Sequence, residues 1–156
     1  MPSAPAVELM TGGSFEKATS TFAANGWTQI GTGDPTWFVG TAAGAQSGTK
    51  AMFIGSNATT WGSSSTSSVV RHIYKDVAVP AGYTNVKLSF YIKQTIKDNA
   101  ADYIRCYTGT TANAPASGSM PNMTFTQRFF NTNNVYNTFT LITVDLPASV
   151  AGTTVR

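Results

Sequence analysis

From Val86 to Lys93 the chain alternates between apolar and polar positions. Val86, Leu88, Phe90 and Ile92 are apolar, Lys87, Ser89 and Lys93 are polar, and Tyr91 is the one exception. Only a pleated strand sends alternate side chains to opposite faces. The run therefore predicts a strand with its even-numbered residues in a core and Lys87, Ser89 and Lys93 in water. Asp102 to Tyr107 repeats the pattern, with Ile104 and Cys106 on one face and Tyr103, Arg105 and Tyr107 on the other. Between the runs, Lys97-Asp98-Asn99 reads as a turn, so the two are expected to form an antiparallel hairpin at the centre of a sheet.

Shorter runs predict further strands on both sides. Val7 to Met10 is the first candidate, broken by Gly12-Gly13 and restarted at Phe15-Glu16. Gly26 to Ile30, Trp37 to Val39, Ala51 to Ile54, Val69 to Val79, Met123 to Phe130 and Thr138 to Leu146 follow, separated by Gly, Pro, Ser and Asn. In the last of these, Phe139 and Leu141 occupy one face while Ile142, Val144 and Leu146 occupy the other, which suggests cover on both sides. Trp27 and Trp37 stand among apolar neighbours and read as core. Residues 55–68 are nearly all Ser, Thr, Asn and Gly around Trp61, as in an extended surface loop. No apolar repeat of helical period lasts the 10 to 12 residues or so that a helix requires. About eight strands at irregular spacing give an all-β expectation: an antiparallel two-sheet β-sandwich of jelly-roll type.

Composition narrows this picture. A chain of 156 residues suits one domain, so residues 1–6, with Pro2 and Pro5, read as a linker and residues 7–156 as a single module. Only 11% of residues are charged while 12% are aromatic, so polarity comes from hydroxyls and amides. That balance is common in secreted and cell-surface modules. The net charge is +3, but the ten Lys and Arg residues are scattered, which gives no electrostatic footprint for nucleic acid. No window approaches the 18 or so apolar residues of a membrane-spanning helix. Cys106, the sole cysteine, reads as a buried thiol.

Phe15-Glu16, Gly26-Trp27, Trp37, Ser47-Gly48-Thr49-Lys50-Ala51, Tyr74-Lys75-Asp76-Val77, Leu88-Ser89-Phe90-Tyr91 and Asp102-Tyr103-Ile104-Arg105 occur in this order. The ordered set resembles the cleaved-adhesin and choice-of-anchor jelly-roll modules, distant relatives of MAM domains, of surface and secreted proteins of Bacteroidota. The resemblance implies one structural Ca2+ with Glu16 as a ligand; read without it, Glu16 is an ordinary carboxylate at a strand edge. It also implies further strands after Ala151-Gly152-Thr153-Thr154. A sheet lacking them would expose an open edge to a neighbouring chain.

Catalytic patterns are sparse. His72, the only histidine, lies inside a strand pattern, no Gly-x-Ser-x-Gly elbow occurs, and the seven acids show no paired arrangement. The chain is therefore read as a non-enzyme. Stacking against sugar rings needs exposed aromatic faces beside polar groups. Tyr91, Tyr103, Arg105 and Tyr107, on the polar-facing sides of their strands, together with Trp61, are the candidates; the alternative, favoured because aromatics in strands are usually packing residues, is that the tyrosines pack beneath loops or help form the inner face of the second sheet. The expectation is an extracellular adhesion or carbohydrate-binding module of a larger protein, its partner a glycan or a surface protein. The alternative is a building block of a surface filament or virion appendage.

Overall fold

A computed structural model describes residues 6–62, 68–95, 102–112, 114–122, 126–132 and 134–156. Within them the chain is all-β and antiparallel. The strands are β1 (Thr28–Ile30), β2 (Thr36–Gly40), β3 (Ala51–Gly55), β4 (His72–Tyr74), β5 (Val77–Ala78), β6 (Lys87–Gln94), β7 (Ile104–Gly109), β8 (Thr126–Thr132), β9 (Tyr136–Asp145) and β10 (Thr154–Val155). They form five two-stranded ladders: β1 with β4, β2 with β3, β5 with β10, β6 with β9, and β7 with β8. Among the described residues the helical elements are two 3-10 turns, Ala23–Asn25 and Ala148–Val150.

The alternation of residues 86–93 sorts as expected along most of β6. Leu88 and Phe90 are half-buried and Ile92 is buried, while Lys87, Ser89 and Tyr91 are exposed. The expected hairpin is not formed. β6 pairs with β9, in the register Leu88 to Val144, Phe90 to Ile142 and Ile92 to Thr140, and β7 pairs with β8. Alternation fixes which face a strand buries and is silent on which neighbour takes its backbone bonds; Ile142 and Val144 supply a partner face as apolar as its own. The predicted turn at 97–99 lies outside the described residues. Lys93 departs from the pattern too. Past Ile92 the register shifts, with Gln94 opposite Tyr136, and Lys93 becomes half-buried.

Two ladders meet through side chains. Phe90 of β6 contacts Phe130 of β8 edge to face, with ring centroids 5.4 Å apart. Phe130 lies opposite Cys106, so the apolar face of β7–β8 is the one turned towards β6. Burial pushes the Cys106 thiol up to about 11, so at neutral pH it stays protonated and a poor nucleophile.

The N-terminal region is built differently. Neither 7–10 nor 15–16 is a strand. Phe15 instead adopts a left-handed backbone, φ 61°, uncommon for a residue with a Cβ. Its ring is buried with Phe22 and Val39, and Trp27, Trp37, Met52 and Ile73 pack against that cluster. Burial of the ring outweighs the local preference for extended backbone. The two indoles reach the core without stranding their N–H groups: Trp27 Nε1 donates to the Gly12 carbonyl (3.3 Å) and Trp37 Nε1 to the Arg71 carbonyl (3.1 Å).

At the other end, Gly109 and Arg156 exchange both backbone hydrogen bonds at 2.9 Å, and Thr110 bridges Val155. β10 thus lies between β5 and the end of β7. The Arg156 guanidinium also grips both Asp76 oxygens (2.8 and 2.9 Å) and covers the Tyr74 ring at 4.1 Å.

Candidate ligand-binding site

The five aromatic and arginine candidates divide among three places. Tyr103, Arg105 and Tyr107 belong to the outer face of β7–β8. Arg105 lies over the Tyr103 ring, 4.4 Å from its centroid, and its Nε donates to Oδ1 of Asn131, the residue opposite it on β8, at 2.7 Å. Nη1 approaches the Met120 sulfur at 3.3 Å. A thioether is a weak acceptor, so the guanidinium is held flat while keeping donor capacity for an oxygen-rich ligand. Tyr107 is half-buried opposite exposed Arg128. A register shift between Cys106 and Tyr107 is the kind of bulge that re-aims a side chain within a ladder.

Tyr91 is on the outer face of the other ladder. It lies opposite Leu141, and the two are 45% and 53% exposed. Below them on the same face Ser89 bonds Thr143 (3.0 Å) and Lys87 pairs with Asp145 (2.7 Å). Phe90 and Tyr91 point to opposite sides of β6, and Phe130 and Asn131 to opposite sides of β8. Because Phe90 touches Phe130, Tyr91 and Arg105 face away from each other and cannot share one ligand.

Trp61 is not the isolated loop indole its Ser- and Thr-rich surroundings suggest. It is half-buried, with the Lys93 ammonium 4.6 Å from its ring centroid. The same ammonium lies 5.5 Å from the Phe139 ring and donates to the Ala43 carbonyl at 3.2 Å. Lys93 therefore ties the loop to β6 and β9, and Trp61 serves as a packing residue on one of its faces.

Glu16 is held by donors. The backbone N–H groups of Thr49 and Lys50 donate to Oε1 at 2.9 and 2.7 Å, and the Thr49 hydroxyl donates to Oε2 at 2.9 Å. The Lys50 and Thr49 amides hold its carboxyl below the usual range. A Cβ at Gly48, φ 71°, would stand 2.6 Å from Oε1, so the turn needs glycine here both for its dihedral and for the approach of the carboxylate. A cation ligand presents lone pairs to the ion and gathers several oxygen donors. Glu16 presents its lone pairs to N–H and O–H groups, and no cluster of three acids, His or Cys occurs among the described residues. These residues do not fit a resident Ca2+.

His72 lies in β4 with Nε2 2.8 Å from the Ser119 carbonyl oxygen. A carbonyl only accepts, so that nitrogen carries the proton. Asn131 and Met120 escaped the sequence reading, since Asn131 joins Arg105 only once the β7–β8 register is known and Met120 comes from a loop. No family model, curated protein or solved structure matches the chain.

Proposed function

We propose that this chain is a non-catalytic extracellular or cell-surface binding module whose working surface is the outer face of β7–β8, and that its ligand is a carbohydrate. The observation that carries the reading is Arg105, laid on Tyr103 and fixed at Nε by Asn131. A planar donor array beside half-exposed tyrosine rings suits hydroxyl-bearing rings, which offer oxygens at the edge and C–H groups on the face. The low charge and high aromatic content support the same reading. The Phe90–Phe130 contact supports taking the ladders as layers of a jelly-roll sandwich, as the resemblance to cleaved-adhesin modules implies.

The test is a glycan array followed by titration of any hit against Arg105→Ala, Arg105→Lys and Tyr103→Ala. Loss of at least about tenfold in affinity is expected for each, equal to about 1.4 kcal/mol. Lysine does not restore binding, because an ammonium neither lies flat on a ring nor donates in a fork. Unchanged glycan binding in all three variants, or none by the wild-type chain, would reject the reading.

A second reading, a building block that assembles through protein contacts, is favoured by the exposed Tyr91–Leu141 pair on the opposite face.

A further inference from the structure

We infer that β9 is an interaction edge, and that its partner is β9 of a second copy of this chain, joined antiparallel about a two-fold axis. The inference narrows the building-block reading to one named edge and is independent of the carbohydrate reading.

Leu146 N–H donates to the Val86 carbonyl at 2.9 Å, and the ladder continues in register from Lys87–Asp145 to Ile92–Thr140. In an antiparallel pair successive residues aim their N–H and C=O groups to opposite sides of the strand. Residues 140, 142, 144 and 146 therefore bond to β6, and Leu141, Thr143 and Asp145 aim their backbone groups away from it. Among the described residues, no backbone group pairs with that side of β9.

Exposed edges are ordinarily guarded by Lys or Pro, by a bulge, or by being short. β1 has three residues, and β8 carries Arg128. β9 has ten residues, with neither Pro nor Lys in it, and its one charge is Asp145 at the end. The stretch from Thr140 to Asp145 is paired without irregularity, so it is flat enough to accept another strand.

Two features select a second copy. An antiparallel edge is its own complement under a two-fold axis, because every free donor meets a free acceptor of the same spacing. A register centred on Ile142 sets Leu141 opposite the partner's Thr143 and keeps the two Asp145 carboxylates at opposite ends of the pairing. Each carboxylate is already paired with Lys87, so no like charges meet. Both faces then continue across the junction: Ile142 meets its copy on the buried side, and the exposed Leu141–Tyr91 stripe doubles on the other.

The test uses the full chain in sedimentation-equilibrium and light-scattering measurements across a concentration series. A dimer is expected, with a dissociation constant on the order of 10 µM given the modest area of an edge contact. Thr143→Pro removes an N–H that β6 does not use, in a backbone region that an edge proline tolerates. It should be monomeric, with an unchanged melting temperature. Leu141→Lys places a charge on the edge and should weaken dimerisation at least about tenfold; it decides the matter if the proline variant does not fold. A wild-type chain monomeric throughout, or a dimer unaffected by Leu141→Lys and by a folded Thr143→Pro, overturns the inference. Assemblies larger than a dimer overturn the closed two-fold pairing while leaving the building-block reading standing.

Discussion

The region around Phe15 and the region around β6 and β9 solve the same problem in different ways. Near Phe15 the strands are short, three residues in β1 and in β4, and side chains tie them together. Gln29 Nε2 donates to the Trp37 carbonyl, Trp37 Nε1 to that of Arg71, and Arg71 Nε to that of Pro35. In β6 and β9 the order lies in the backbone ladder, and side chains at the centre of the outer face stay exposed. Where a strand is too short to be held by its own ladder, stability must come from buried rings and their polar handles. Where the ladder is long, the outer face is left exposed, as Tyr91 and Leu141 are.

Phe15→Ala tests this contrast most severely. Removing a buried ring that touches Phe22 and Trp27 should cost about 3–4 kcal/mol in urea unfolding. A loss under about 1 kcal/mol would mean the cluster is not what holds the short strands. Trp37→Phe keeps most of the ring but leaves the Arg71 carbonyl without its donor. It should cost about 1–2 kcal/mol, and the side-chain scaffold loses its support if the melt is unchanged. Arg156→Ala should cost least, about 0.5–1 kcal/mol, because its pair with Asp76 is partly exposed.

That last variant has a signature in pH. Hydrogen bonds from Arg156 hold the Asp76 carboxyl below its ordinary value of 3.8 in the folded chain. The folded value is depressed, so the pair's contribution is complete above the unfolded value and disappears as pH falls through the lower folded one. Melting curves of wild type and Arg156→Ala should therefore differ at pH 6 and converge as the pH falls below about 3.8. Curves that stay parallel would show that Arg156 acts through its Tyr74 contact alone.

How much of this was legible follows from the same contrast. The inward face of residues 86–92 and the packing of Trp27 and Trp37 against the core could be read directly, because period and neighbourhood decide them. Strand partners could not: Leu88 fits Val144 as well as it fits any apolar residue, and only the folded register chooses. Phe15-Glu16 was opaque for another reason. Its left-handed backbone is imposed by a core assembled from Phe22, Val39 and the tryptophans, distant in sequence from one another. Alternation places Tyr103 and Arg105 on one face, while the contact between Trp61 and Lys93 is not legible in sequence because Lys93 reaches the ring from a different strand.

The meeting of Phe90 with Phe130 carries a mechanical consequence. Anything fastened to the Arg105 surface and anything fastened to the Tyr91 surface would pull on opposite sides of that ring contact. The load would cross an apolar seam of side chains, and none of the described backbone bonds joins β6 to β8. That ring contact has no backbone hydrogen bonds to oppose separation, whereas each ladder is bonded along its length.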